Sequence, residues 1–216
     1  QDQPPYSSEG LSSPQCGVIN SLGRDVPAQH LLMAVLRRAM EQAGCVPERT
    51  GLVVGTSSGD ICGLWERWHR SSLGAPHEAG EEPLYPRQGP TAHAVSALQL
   101  GGPSTTVSVA CASGTAALAV ASGWLFDGLC DSVLVAGVDA LSLYIHAGFN
   151  GLGALAKHDA RPFAADRDGL VLGEGAAVVV LETDETAKAP VLAELLGTGL
   201  SSDGTHMTAP DREGRG

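Results

Sequence analysis

The chain has 216 residues, of which 43% are hydrophobic and 17% are charged. This composition excludes a disordered chain and provides the core of one sizeable domain. The formal net charge of −11 argues against nucleic-acid binding, which depends on a basic surface. No run approaches the roughly 20 apolar residues of a membrane-spanning helix, and no signal peptide opens the sequence, so we expect a cytoplasmic protein.

The first predicted elements are a helix and a strand. Apolar residues recur at helical spacing over 30–44, with Gly44 as the residue that ends the helix. The polar residues 1–29 before it predict an N-terminal arm. A short apolar run at 51–55 predicts a buried strand. Residues 74–90, which are rich in Pro and Glu, predict a long exposed loop.

Three further apolar runs predict strands of a sheet. Thr91 is expected to cap a helix that ends at 101–103. Continuous apolar runs bounded by turn residues then occur at 132–138 and 175–182, and a third possible strand lies at 191–200. Strands that alternate with helices indicate an α/β fold with one mixed sheet and helices on both faces.

The five cysteines, at positions 16, 45, 62, 111 and 130, are odd in number and widely spaced. They form no Cys-x-x-Cys pair, so the pattern favours reduced thiols over a disulfide framework or a zinc site. One of them has a distinctive position. Cys111 follows a predicted buried strand at 105–110 and precedes a predicted helix at 112–123. Unpaired backbone N–H groups and the helix dipole favour a thiolate there, which suits a nucleophile.

The helix at 112–123 is built from unusually small residues. Leu118 and Val120 are its only bulky aliphatic side chains, and it has no Lys or Glu. Such a helix is expected to be surrounded by protein, with neighbouring backbones at close range. The alternative at this point is a central core helix that begins with an inert buried cysteine.

Several segments resemble motifs of the β-ketoacyl-acyl carrier protein synthases, decarboxylating condensing enzymes of the thiolase-like superfamily. The central one is Val-Ser-Val-Ala-Cys-Ala-Ser-Gly-Thr, which resembles the nucleophile motif of that family. The others follow in order, and together they extend over roughly residues 51 to 210. The matching segments are 107–115, 129–140, 148–155, 161–169, 173–176 and 206–210.

The resemblance implies the N-terminal half of a thiolase-like layered αβαβα fold. It implies that Cys111 accepts an acyl group as a thioester, which the carbanion of a decarboxylated malonyl unit then attacks. The product would be a β-ketoacyl chain for fatty-acid, polyketide or polyene assembly. The backbone N–H of Cys111 would hold the oxyanion, and Ala110, Gly148 and Phe149 would line the acyl pocket, with Phe149 able to gate it.

The resemblance also implies partners but no cofactor. The phosphopantetheine arm would belong to the acyl carrier protein, which is the expected substrate carrier. Candidate docking residues for that acidic protein are Arg37 with Arg38, or Arg67 with Arg70. A homodimer, or a heterodimer with another ketosynthase chain, would form along strand 105–109.

The resemblance further implies two histidines and a lysine in a C-terminal half, and the sequence stops at Gly216, before that half. The chain is therefore expected to be a single N-terminal ketosynthase-like half-domain, 1–216. Three alternatives stay open: a piece of a full synthase, a split subunit, or a natural half-length partner. The last would be a non-catalytic subunit that sets chain length. A thiolase fits the motifs less well. The chain alone is expected to be poorly soluble or obligately associated.

Overall fold

The computed structural model describes residues 9, 11, 13, 15–19, 28–59, 72–74, 89–206 and 211–214. Its helices are α1 (Ala28–Ala43), α2 (Pro90–Leu98), α3 (Ser113–Phe126) and α4 (Leu143–Gly151), and a 3-10 turn covers Pro47–Arg49. Its strands are β1 (Cys16–Gly17), β2 (Thr50–Gly55), β3 (Ser104–Val107), β4 (Ser132–Asp139), β5 (Leu172–Gly173) and β6 (Gly175–Glu182).

Four strands form one mixed sheet in the spatial order β3-β2-β4-β6. β2 runs parallel to both β3 and β4, whereas β6 runs antiparallel to β4. The strands predicted at 51–55, 132–138 and 175–182 are confirmed as strands, because each apolar run pairs with a neighbouring strand. β2 and most of β4 are buried as expected, whereas β6 is only partly buried, with Ala177 and Val179 exposed. β1 and β5 make a separate parallel pair.

Helices cover both faces of the four-stranded sheet, which confirms the predicted α/β class. On one face, Leu52 and Leu134 share a buried cluster with side chains of α1 and α2. On the other face, Val53 and Val133 pack with Ala117 of α3. Successive residues of a strand point to opposite faces, so a strand covered on both faces is apolar at nearly every position.

The predicted first helix is confirmed. α1 begins at Ala28 and ends at Ala43. Gly44 follows with a φ of +67°, and its N–H donates to the Met40 carbonyl at 2.9 Å. Glycine adopts this left-handed conformation without a steric penalty, so it ends the helix as the sequence indicated.

The predicted N-cap of the second helix is wrong. α2 begins at Pro90, so Thr91 lies inside its first turn rather than before it. The Thr91 hydroxyl instead hydrogen-bonds the Thr106 hydroxyl at 2.6 Å, which ties α2 to β3. The helix also stops before the predicted boundary at 101–103, because Gln99 takes the left-handed conformation with a φ of +54°.

β3 is shorter and more exposed than the buried strand predicted at 105–110. Ser104 and Thr106 are exposed, because β3 lies at the margin of the sheet. Its outer edge pairs with no strand among the residues that the structure describes. Residues 108–111 leave the sheet and form the turn that carries Cys111.

α3 is longer than predicted and is buried on one side only. Ala117 and Ala121 are fully buried against the sheet, whereas Gly114 is exposed and Phe126 is 92% exposed. The expectation that protein surrounds this helix is therefore not met within the described part of the chain.

The possible strand at 191–200 is wrong. This segment has no regular secondary structure, and Leu192 and Leu196 are 98% and 91% exposed. The predicted arm 1–29 lies largely, and the predicted loop 74–90 almost entirely, outside the described residues. None of the helices in the described ranges is long and apolar enough to cross a bilayer.

Candidate active site

Cys111 lies in the turn between β3 and α3, two residues before Ser113, the first residue of the helix. Its side chain is exposed. Ala110 has a φ of +51°, a left-handed conformation that costs a residue with a Cβ about 1–2 kcal/mol. The Ala112 N–H donates to the Val109 carbonyl at 3.2 Å, and the Ser113 N–H donates to the Ala110 carbonyl at 3.1 Å. The thiol is thus presented at the N-terminal end of α3, as predicted.

The hydroxyl of Ser113 holds this turn together. Ser113 is almost fully buried. Its Oγ accepts a hydrogen bond from the Val109 N–H at 2.9 Å and donates to the Ala110 carbonyl at 2.6 Å. It also lies 3.2 Å from the Thr56 carbonyl. One side chain therefore fixes the backbone before Cys111 and joins it to the loop after β2.

α3 begins directly against the end of β2, and Gly55 makes this possible. A Cβ at Gly55 would lie 2.5 Å from the Ser113 carbonyl oxygen and 2.8 Å from the Gly114 nitrogen. Both are backbone atoms, which cannot move aside as a flexible side chain does. The absence of a side chain at this position lets the cysteine turn sit on the edge of the sheet.

The Asp139 carboxylate, at the carboxyl end of β4, binds the loop 56–58 that follows β2. It accepts hydrogen bonds from the Thr56 hydroxyl at 3.0 Å and from the backbone N–H groups of Ser57 and Ser58 at 3.0 and 3.2 Å. The two strands are parallel, so their carboxyl ends meet at this edge. Asp139 therefore connects β4 to a loop that also contacts the cysteine turn.

Cys111 lines a shallow cavity of about 530 Å³ that is wide open to solvent. Most of its lining residues are small, which leaves room for a ligand, and the carboxylates of Asp139 and Glu174 contribute negative charge. The lining residues are Gly55, Ser57, Ala110, Cys111, Ser113, Gly114, Gly137, Val138, Asp139, Gly173, Glu174, Gly175, Ala176 and Ala177.

Glu174 fastens the N-terminal strand to the rim of this cavity. Its Oε1 accepts a hydrogen bond from the Ile19 N–H at 2.8 Å, and its own N–H donates to the Gly17 carbonyl at 3.1 Å. These bonds extend the pairing of β1 with β5. The cavity is thus bounded by segments far apart in the sequence.

Only one of the three predicted acyl-pocket residues lines the cavity beside Cys111. Ala110 lines the cavity beside Cys111. Gly148 and Phe149 lie on α4, Gly148 exposed and Phe149 half-buried, and neither lines this cavity. Their role in an acyl pocket stays a prediction.

Cys111 is more exposed than the other described cysteines. Cys16 and Cys130 are buried and Cys45 is half-buried, whereas Cys62 lies outside the described residues. Burial raises the pKa of the Cys45 thiol and that of the Cys130 thiol, so both are weaker nucleophiles near neutral pH. Within the described ranges, no group of three or more His, Cys, Asp or Glu side chains is placed to hold a metal ion.

Sequence reasoning did not single out Ser113, Asp139 or Glu174. One signal was present for Asp139: it ends a buried strand, and the polar residues of loop 56–58 follow another. Polar residues at the carboxyl ends of neighbouring parallel strands meet at one edge of a sheet. No comparable local signal marks Glu174, whose partners lie about 155 residues away.

Comparison with known families decides the assignment. Residues 21–187 match the family described as "Beta-ketoacyl synthase, N-terminal domain". The chain belongs to the β-ketoacyl synthase family. This confirms the resemblance drawn from the nucleophile motif and the segments that follow it.

Two relatives of this β-ketoacyl synthase domain illustrate its extent. It is 33% identical over 203 residues to 3-oxoacyl-[acyl-carrier-protein] synthase 2 of Rhizobium meliloti (strain 1021), covering 85% of this chain and 48% of the relative. It is 33% identical over 230 residues to the tetracenomycin polyketide synthase ketoacyl synthase alpha subunit of Streptomyces glaucescens, covering 96% and 53%. The chain spans about half the length of the curated relatives it matches.

A solved structure of the ishigamide ketosynthase/chain length factor is also similar. It aligns with a TM-score of 0.75 at 28% identity, over 99% of this chain and 59% of that chain. The β-ketoacyl synthase domain therefore has the predicted thiolase-like fold of a ketosynthase N-terminal half.

Proposed function

We propose that Cys111 is the acyl-accepting nucleophile of a decarboxylative Claisen condensation. The observation that carries the proposal is the exposed thiol at the start of α3, which lines the 530 Å³ cavity. Membership of the β-ketoacyl synthase family supports it. The names of the two relatives support fatty-acid or polyketide assembly as its setting, and polyene assembly has the same chemistry.

Two covalent steps make up the proposed reaction. In the first, the Cys111 thiolate attacks the carbonyl carbon of an acyl thioester. The bond from that carbon to the donor sulfur breaks, and the donor thiol leaves with the proton that Cys111 gave up. In the second step, a malonyl thioester loses carbon dioxide, and its enolate carbon attacks the Cys111 thioester. The Cys111 sulfur leaves, and the β-ketoacyl product is two carbons longer.

This chain supplies only part of the proposed machinery. The thiol and its backbone N–H lie at the start of α3, where an oxyanion would be stabilised. Because the chain spans about half the length of its relatives, we place the groups that promote decarboxylation in the other half of the family's fold. The acyl group would arrive on the phosphopantetheine arm of an acyl carrier protein. We place the reaction in the cytoplasm, where thiols stay reduced.

A dimer is part of the proposal. The outer edge of β3 pairs with no strand in the described part of the chain. A second ketosynthase chain, identical or related, would pair there and would also cover apolar surface. Of the predicted docking arginines, Arg37 and Arg38 are exposed on α1, and Arg67 and Arg70 lie outside the described residues.

The second candidate function is a non-catalytic subunit that sets chain length. The similarity to a ketosynthase/chain length factor structure favours it. The exposed Cys111 favours the enzyme, because a subunit that only shapes a pocket has no need of an accessible thiol at a helix start.

Acylation distinguishes the two candidates. The native protein that contains this chain is incubated with cerulenin or an acyl thioester, and modified cysteines are located by mass spectrometry. We expect labelling of Cys111 well ahead of Cys45 and Cys130, loss of this labelling in Cys111→Ala, and its retention in the matched variant Cys45→Ala. Equal labelling of all cysteines, or none in folded protein, would overturn the proposal and favour the chain-length subunit.

A further inference from the structure

We infer that Asp139 is a positioning residue for Cys111 and that Asp139 acts through the loop 56–58. Its carboxylate fixes this loop, and the loop supports both sides of the turn that presents the thiol. The inference rests on the proposed function of Cys111 and adds a residue that this function requires.

Asp139 binds the loop through both of its carboxylate oxygens. Oδ1 accepts from the Thr56 hydroxyl, the Ser57 and Ser58 N–H groups and the Ser58 hydroxyl, all at 3.0–3.2 Å. Oδ2 accepts from the Ser57 N–H at 3.2 Å. Hydrogen bonds to an ionised acceptor are roughly twice as strong as neutral ones. Four donors therefore hold the loop to one carboxylate.

The loop in turn contacts the cysteine turn on both sides of Cys111. Thr56 is buried, and its carbonyl lies 3.2 Å from the Ser113 Oγ on the helix side of Cys111. The Ser57 hydroxyl donates to the Ala110 carbonyl at 3.4 Å on the strand side. A loop held by Asp139 thus meets the turn both before and after the nucleophile.

The turn that the loop supports is strained. Ala110 keeps a φ of +51°, and such a conformation persists only where the surroundings enforce it. If the loop is released, the turn loses two of the contacts that enforce it. The direction of the thiol relative to the cavity then varies, and fewer molecules hold it in a reactive geometry.

A competing view treats Asp139 only as a negative charge beside the thiolate, since both residues line the cavity. The two views predict opposite effects of Asp139→Asn. Removing a like charge would increase the thiolate fraction near neutral pH and so speed the reactions there, without a tenfold fall in the plateau rate at high pH. Releasing the loop would slow them, even at high pH, where every accessible thiol is already ionised.

The experiment measures alkylation of Cys111 by iodoacetamide and its acylation by an acyl thioester, as a function of pH, in the native protein. For Asp139→Asn we expect both plateau rates at high pH to fall about tenfold, the change that corresponds to losing one hydrogen bond to a charged group. Asp139→Glu keeps the charge but moves the carboxylate oxygens, so Cys111 should also react slowly in that variant. Asp131→Asn, which removes a carboxylate at the opposite end of β4, is the matched control and should react like the wild type.

Melting temperatures accompany the rates, so that each rate is expressed per folded molecule. A plateau rate for Asp139→Asn equal to or above that of the wild type, or a wild-type rate for Asp139→Glu, would overturn the inference. If Asp139→Asn does not fold, Thr56→Val removes one of the four donors, and a wild-type rate in that variant would overturn it too. A wild type that is alkylated at Cys111 but takes no acyl group would refute the proposed function, whereas slow alkylation of Asp139→Asn would still support the positioning role.

Discussion

The two ends of β4 each involve an aspartate, and the two carboxylates do different work. Asp131, just before the strand, accepts the Arg49 Nε at 3.1 Å and the Arg49 Nη2 at 2.7 Å, and both side chains are about half exposed. Asp139, the last residue of the strand, instead binds the hydroxyls and backbone N–H groups of a loop. Asp131 pairs with one other surface side chain, whereas Asp139 fixes the backbone of a loop.

The difference shows where a carboxylate can influence chemistry. A solvent-exposed ion pair contributes little, because water screens it and two long side chains must be ordered. A carboxylate that orders backbone sets the position of every residue on that loop. We therefore expect substitutions at the carboxyl end of the sheet to alter both the stability of the fold and the reactivity of Cys111. Substitutions at the amino end should alter the stability alone.

The largest effect is expected from a change at Gly55. Gly55 and Gly137 are partners in the parallel register of β2 and β4. A Cβ at Gly55 meets the backbone of Ser113, whereas a Cβ at Gly137 has no atom within 4 Å. Gly55→Ala should lower the free energy of unfolding by about 1–3 kcal/mol and slow Cys111 labelling. Gly137→Ala should cost less than about 1 kcal/mol. Urea unfolding measures both, and equal costs would contradict the proposed crowding at Gly55.

A smaller effect is expected from removing the Ser113 hydroxyl. Ser113→Ala deletes the bonds that fix Val109 and Ala110, so we expect a loss of about 1–2 kcal/mol in the free energy of unfolding and slower labelling of Cys111. The matched control is Ser122→Ala on the same helix, because among the described residues the Ser122 hydroxyl bonds only to the Ala119 carbonyl one turn earlier. Ser122→Ala should change neither the free energy of unfolding nor the rate of Cys111 labelling. Identical behaviour of the two variants would mean that the Ser113 hydroxyl does not support the turn.

The smallest effect is expected at the amino end. The hydrogen bonds from Arg49 hold the pKa of Asp131 below its usual value, so the pair stabilises the folded state at neutral pH. This contribution is lost as pH falls below about 4 and through the lowered pKa of the folded state. Asp131→Asn should therefore be slightly less stable than the wild type at pH 7, and the difference should shrink as the pH falls through the lowered pKa of Asp131. A difference in urea midpoint that persisted in acid would show that the ion pair is not its cause.

The sequence indicated the central elements of the fold correctly, and the reason is physical. The apolar runs of β2 and β4 describe strands that are buried by helices, that of β6 describes a partly buried strand, and the spacing in α1 describes a helix with one buried face. The predictions failed where an apolar sequence indicates that a segment tends to be buried but does not indicate which element would cover it. Residues 191–200 have the composition of a strand but pair with no strand in the described residues, and β3 lies at an edge.

Within the candidate site, only the position of Cys111 at a helix start was predictable from the sequence. The position of Cys111 at the start of a small-residue helix, together with the surrounding motif, indicated a nucleophile. Its supports were not predictable from neighbouring residues, because Asp139 lies 82 residues from Ser57. Their contact depends on β2 and β4 being adjacent and parallel, which no local pattern specifies.

The wide sequence separation within the cavity has a consequence for how the protein folds. The lining extends from Gly55 to Ala177, and the bond between Ile19 and Glu174 closes the rim across 155 positions. Contacts between residues so far apart in the sequence form late in folding, because a long loop must close before they form. A nascent chain that ends just after α3 already carries the thiol but not the wall formed by β5 and β6. During synthesis, Cys111 is therefore present before the cavity beside it is complete.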